Sequence, residues 1–209
     1  MDIESTRERI LDAAEDLFYT RGVHVVGMDA VRDAAGVTLR RLYQHFPTKD
    51  DLFEAYLDRR DTRWLASLAD YVEAAAGTPG EGPLAVFDWL ERWFTQPDFH
   101  GCAFINSFGE LGGTSPEVAA VARQHKDAFH AYLRELTAAA GASDDTAAQI
   151  ALLAEGAITT AAISGTPAPA RRAKQAAGLL LTLAQRRHED ASACVVGPSR
   201  GYMSEHGQQ

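Results

Sequence analysis

The stretch Ala34-Ala35-Gly36-Val37-Thr38-Leu39-Arg40-Arg41-Leu42-Tyr43-Gln44-His45-Phe46-Pro47-Thr48-Lys49 decides how this chain reads. Gly36 marks a helix stop and a tight turn, since glycine enters the left-handed conformation at little cost. Thr38 is placed to cap a short helix from Leu39 to His45. Leu42 and Phe46 are spaced to pack inward, which turns Arg40, Arg41, Gln44 and His45 outward. Pro47 blocks simple continuation of that helix. The stretch holds no acidic residue, yet the whole chain carries a formal net charge of −9. A basic island in an acidic protein argues against a general nucleic-acid coat and for a small, local polyanion site.

Upstream, Ser5-Thr6-Arg7-Glu8 fits a capping box, so a first helix is expected to begin at Ser5. Ile10, Leu11, Ala14, Leu17 and Phe18 give it one buried stripe, and Gly22 ends it. A second helix runs from about Met28 to Ala35. Thr48 and Asp51 open a fourth helix. Two short helices joined by a glycine turn form a helix-turn-helix, whose second helix enters the major groove. Arg40 and Arg41 suit guanine edges and Gln44 suits adenine. The start of the fourth helix, with Lys49, suits a phosphate. Arg40 and Arg41 taken alone fit a solvated helix face equally well.

At these residues the chain resembles the DNA-binding domain of the TetR family of bacterial transcription regulators. The matching elements are Arg9-Ile10-Leu11-Asp12-Ala13-Ala14, Leu17-Phe18, Gly22, Ala35-Gly36-Val37-Thr38, Leu42-Tyr43-Gln44-His45-Phe46, and Lys49 with Leu52. The resemblance implies DNA-backbone contacts by Tyr43, His45 and Lys49 and a phosphate contact by Thr38. The chain departs from the family pattern at Gly27, where a Thr or Ser is usual, and at Leu39-Arg40-Arg41.

Beyond the fourth helix, which runs through Trp64, Leu68 and Tyr71, the pattern stays helical. Helices are expected at Leu84 to Thr95, from Ser115-Pro116 onward, at about Asp144 to Ser164, and at Ala168 to Arg187, with a short segment at Gly101 to Leu111. The run Ile150 to Gly165 carries one charge, Glu155; it is too short for a membrane span and calls for burial on more than one side. The last two helices, about 144–187, are expected to pair with a second copy, and the resemblance implies the same homodimer. His188 to Gln209 lacks a helical period and reads as a flexible tail.

The resemblance also implies that a small molecule enters the C-terminal domain. Trp89, Trp93, Phe104, Phe108, Phe129 and Tyr132 are the expected apolar lining, with Asn106, Ser107, His125, Glu155 and Thr159 as polar contacts. For each aromatic residue, simple core filling is the competing reading. Glu155 needs a partner or a raised pKa, and the ligand, a second subunit or an Arg would serve. Cys102 with His100 or His125 lacks any further catalytic signature, and no His spacing suits a metal, so no enzyme, cofactor or metal is expected. Two distant cysteines and a polar start at Met1 to Thr6 fit a cytoplasmic protein.

The reading is an all-α protein: a three-helix helix-turn-helix domain (1–48), a larger helical ligand-binding and dimerisation domain (49–187), and a tail (188–209). Its expected function is a DNA-binding repressor of double-stranded operator DNA, released by an unknown small-molecule effector and not associated with a membrane. The alternative is a helical ligand- or protein-binding module whose DNA-binding head is vestigial.

Overall fold

The computed structural model describes residues 3–195, and side chains over 4–186. Among the described residues the regular structure is helical: α1 (Ile3–Arg21), α2 (Met28–Ala35), α3 (Leu39–His45), α4 (Lys49–Ala75), α5 (Gly82–Phe94), α6 (Ala103–Leu111), α7 (Pro116–Ala139), α8 (Asp144–Ser164) and α9 (Ala168–Val195). A 3-10 turn, Pro79–Glu81, bridges α4 and α5. Helix α5 runs from Gly82 to Phe94 against an expected Leu84 to Thr95, and two further helix ends differ from expectation. Ser5 lies inside α1, not at its cap, because Ile3 and Glu4 already extend the helix and Glu4 suits the positive end of its dipole. Helix α9 continues to Val195, so the first residues of the expected tail are helical; the remainder of that tail, 196–209, lies outside the described residues.

The head is α1 to α3. Ile10, Leu11, Ala14 and Phe18 of α1 bury against Val31, Ala35, Leu42 and Phe46 in one continuous core. Helix α4 is the spine that joins head to body, packing on α1 as well as on α5 and α7. Its N-terminal half buries Leu52, Phe53 and Tyr56, with Phe18 edge-on to Phe53 at 5.4 Å. Its C-terminal half buries Trp64, Leu68 and Val72.

The α1–α4 seam is also charged. Arg59, 11% exposed, donates to Glu8 at 3.0 Å, Asp12 at 2.8 Å and Glu15 at 2.8 Å. Arg60 donates to Glu15 at 2.9 Å and stacks 3.8 Å over the Tyr19 ring. A second latch joins the end of α1 to α6: Tyr19 Oη donates to the Gly101 carbonyl at 2.7 Å, and the His24 amide donates to Glu110 at 3.2 Å.

Helix α8 is long and apolar enough by length and composition to cross a membrane. It packs instead between α7 and α9, with Ala147, Ile150, Ala151, Ala154, Ile158 and Ala161 buried. Helix α9 packs on α8 and buries Ala170, Ala173 and Ala177, and small residues on both helices let the backbones approach closely. The expected burial on more than one side is therefore present, but a third face is open. Leu152 is 71% exposed and Ile163 83%; on α9, Leu179 is 68% and Leu183 53%. At 100° per residue Leu152 and Ile163 share one face, and so do Leu179 and Leu183.

Candidate nucleic-acid interface and effector region

Local chemistry sets the turn between α2 and α3. Gly36 has φ 61°, and its amide bonds back into α2 at Asp33. Arg9 of α1 staples the same turn by donating to the Ala35 carbonyl, and to the Gly36 carbonyl at 3.0 Å. Thr38 then caps α3, its hydroxyl accepting from the Arg41 amide at 3.3 Å. Leu42, fully buried, and Phe46, 3% exposed, anchor the helix inward. That leaves Arg40, Arg41, Tyr43 and Gln44 exposed together, with Tyr43 44% exposed. His45 is half-buried.

The start of α4 has the expected reciprocal cap between Thr48 and Asp51. Lys49 is half-buried and tethered, donating to the Val23 carbonyl at 2.5 Å, so it braces the loop before α2. Gly27 sits at the N-cap of α2 with no side-chain cap, as its departure from the family pattern implies. The head residue that sequence reasoning overlooked as functional is Arg9. Its role depends on carbonyls that lie 26 and 27 residues away, and no local pattern displays them.

The expected ligand residues do not enclose one cavity. Trp89, His125 and Phe129 pack around Trp64, with ring centroids 4.9, 5.1 and 5.1 Å away, and Trp93 follows at 5.6 Å. Phe104 stacks on His125 at 3.8 Å. This is filled core. Tyr132 is half-buried beside it. Asn106 is exposed and donates to the His100 carbonyl at 2.9 Å, while the next residue, Ser107, is buried. Phe108, 51% exposed, lies with Ile105 along an open groove between α6 and α7. Thr159 is exposed on the same open α8 face as Leu152, because it is the branched and small residues on the opposite side that meet α7 and α9. Glu155 finds its partner within the chain: Lys126 donates to it at 2.8 Å, and His130 lies 3.3 Å away. The partner is a Lys, not the Arg considered from sequence.

His125 is 1% exposed, and its Nδ1 lies 2.6 Å from Asp61 Oδ1. Burial pushes its imidazole down to about 4, against the opposing hydrogen bond to Asp61. The neutral ring therefore donates from Nδ1–H to Asp61. Its Nε2 is buried with no hydrogen-bond partner among the described residues. Cys102 is buried as well, its Sγ 3.5 Å from Lys126 Nζ.

The sequence profile of the bacterial regulatory proteins, tetR family, matches residues 10–56, which span α1 to the start of α4. A TetR-type transcriptional regulator from Streptomyces avermitilis is 34% identical, with 86% of this chain and 98% of that one aligned and a TM-score of 0.73. The chain belongs to the TetR family. A TetR-family regulator from Streptomyces coelicolor superposes with a TM-score of 0.79 at 28% identity, over 87% of this chain and 96% of that one. The HTH-type transcriptional activator FasR of Mycolicibacterium smegmatis is 45% identical over 117 residues, 56% of this chain and 52% of that protein. The chain spans about half the length, or less, of the curated relatives it matches. As a TetR-family member, this chain is a transcriptional regulator with a DNA-binding domain.

Proposed function

We propose that this chain is a homodimeric, cytoplasmic repressor that occupies a two-fold symmetric operator and leaves it when a small molecule binds the body. The observation that carries this reading is the geometry of α3: a capped, two-turn helix held from behind by Leu42 and Phe46, with Arg40, Arg41, Tyr43 and Gln44 presented together. Arg40, Arg41 and Gln44 read base edges in the major groove. Thr38, Tyr43, His45 and Lys49 hold phosphates and fix the register.

The open α8–α9 face supports dimerisation. Four large aliphatic side chains on two adjacent helices are an exposed apolar patch of the kind that marks an interface. Pairing two copies across it brings two heads onto one side of a two-fold axis, which matches a palindromic operator. The effector acts by favouring a body conformation in which the two heads no longer match the half-site spacing. FasR is named as an activator, so the sign of regulation is tested directly with a reporter; it is set by where the operator lies in a promoter.

The test is operator affinity in Arg40→Ala and Arg41→Ala at fixed salt, with the dimer checked by light scattering. Loss of one bidentate base contact costs about 1–3 kcal/mol, roughly a 5- to 150-fold weaker Kd. Unchanged affinity in both variants removes α3 as the reading helix.

A further inference from the structure

A cleft of about 420 Å³ lies where α1, α4 and α5 meet, outside the filled aromatic core. Its apolar wall is made by Trp64, Trp89 and Trp93, with Tyr19 and Tyr71 on either side. These are all the tryptophans the chain has. The polar groups at this wall are chiefly donors. The guanidinium of Arg92 stands 5.1 Å over the Tyr71 ring and has no ion pair among the described residues. Arg63, 55% exposed, reaches the carboxylates of α1 only at 3.6–3.9 Å, beyond hydrogen-bond length. Trp89 donates to Ser67 at 3.3 Å, whereas the indole N–H groups of Trp64 and Trp93 have no protein acceptor among the described residues.

Charge decides which ligand fits. Arg60, Arg63 and Arg92 line the cleft together with Glu15 and Asp98. Glu15 is already held by Arg59 and Arg60 at 2.8 and 2.9 Å, which leaves Arg63 and Arg92 against the single carboxylate of Asp98. The aromatic wall selects an aromatic ring system, and Arg92, with no ion pair among the described residues, together with Arg63, held by carboxylates only at 3.6–3.9 Å, selects a carboxylate, which guanidinium groups bind through charge-assisted forked hydrogen bonds. We propose that this cleft binds an aryl carboxylate, its ring against the tryptophans and its carboxylate between Arg63 and Arg92.

The site also has a route to the head. Arg63 is drawn toward Glu8, Asp12 and Glu15 of α1, so a carboxylate competing for Arg63 weakens the α1–α4 seam. This transmission step rests on the regulator reading above; binding at the cleft does not.

The test is calorimetric titration of the full chain with 2-naphthoate and with its uncharged counterpart 2-naphthalenemethanol. Saturable binding of 2-naphthoate is expected, one per chain, with Kd below about 1 mM and at least about tenfold tighter than the alcohol. Arg63→Gln and Arg92→Gln, both on exposed residues, are each expected to weaken it about fivefold or more, whereas Arg123→Gln, in the separate α6–α7 groove, leaves it unchanged. Equal binding of the alcohol, wild-type affinity in both cleft variants, or no saturable binding of 2-naphthoate by about 10 mM overturns the site. The same preparation is assayed on selected operator DNA. Sequence-preferring DNA binding without naphthoate binding refutes the cleft alone, and naphthoate binding without any DNA preference refutes the regulator reading alone. Naphthoate binding that leaves operator affinity unchanged refutes the transmission step.

Discussion

Replacing His125 by Gln should flatten the pH dependence of stability between pH 8 and pH 5. The imidazole is 1% exposed, stacked on Phe104 and edge-on to Trp64, and burial lowers its pKa from 6.5 to about 4. A base held neutral in the folded chain contributes its full share of stability above the unfolded value of 6.5. It loses that share as the pH falls toward 4, because the unfolded chain takes up the proton first. With those two values the linkage penalty reaches about 2 kcal/mol by pH 5 and approaches about 3 kcal/mol below pH 4. Gln carries no charge at any of these pH values and keeps a donor toward Asp61. Any constant cost of burying its amide cancels when each protein is compared with itself. Urea unfolding of both proteins at pH 8 and pH 5, at one fixed protein concentration, measures the effect. The wild type should lose about 2 kcal/mol more than His125→Gln over that interval. Parallel losses in the two proteins would refute the assignment of the acid sensitivity to this ring.

Gly36→Ala should destabilise the chain by about 1–2 kcal/mol and weaken operator binding further, because φ 61° is costly for a side chain and the new Cβ would sit 3.2 Å from Arg9 Nη2; thermal unfolding measures the first effect and gel shift the second. Arg59→Ala removes three ion pairs from the α1–α4 seam, and since Glu8 and Asp12 stay well exposed and recover water, a loss of about 2–3 kcal/mol is expected from chemical denaturation, below the full cost of breaking a buried pair. Leu179→Glu combined with Leu183→Glu should yield folded monomers in light scattering, with helical content unchanged, because both side chains are already more than half exposed. A stable dimer in that variant would move the interface away from α9.

Features carried by neighbouring residues were legible from sequence. Gly36, Thr38, Leu42 and Phe46 act through backbone conformation, capping and helical spacing, and each stands where its pattern placed it. The caps at Thr48 and Ser115 are of the same kind. What escaped were partnerships between distant segments. Glu155 meets Lys126, Lys49 meets Val23, and Arg9 meets the α2–α3 turn, none of which a local period encodes. The aromatic residues show the limit most clearly. Their helical spacing was compatible with core, the default for an apolar stripe, and with cavity lining, and only the placement of Trp64 at their centre separates Phe129 and His125, inside a packed cluster, from Trp89 and Trp93, which also face a cleft. The charge ladder of Glu8, Asp12 and Glu15 against Arg59, Arg60 and Arg63 likewise joins two distant segments, and no local pattern pairs them.

The central claim is sequence reading by a pair of α3 helices. The most direct test is selection of bound sequences from a random duplex pool at near-physiological salt, using protein shown to be folded and dimeric. Two half-sites related by a two-fold axis, with centres about one helical turn or a multiple of it apart, are the expected result. Recovery of no motif would contradict the claim and leave a helical binding protein with a vestigial head.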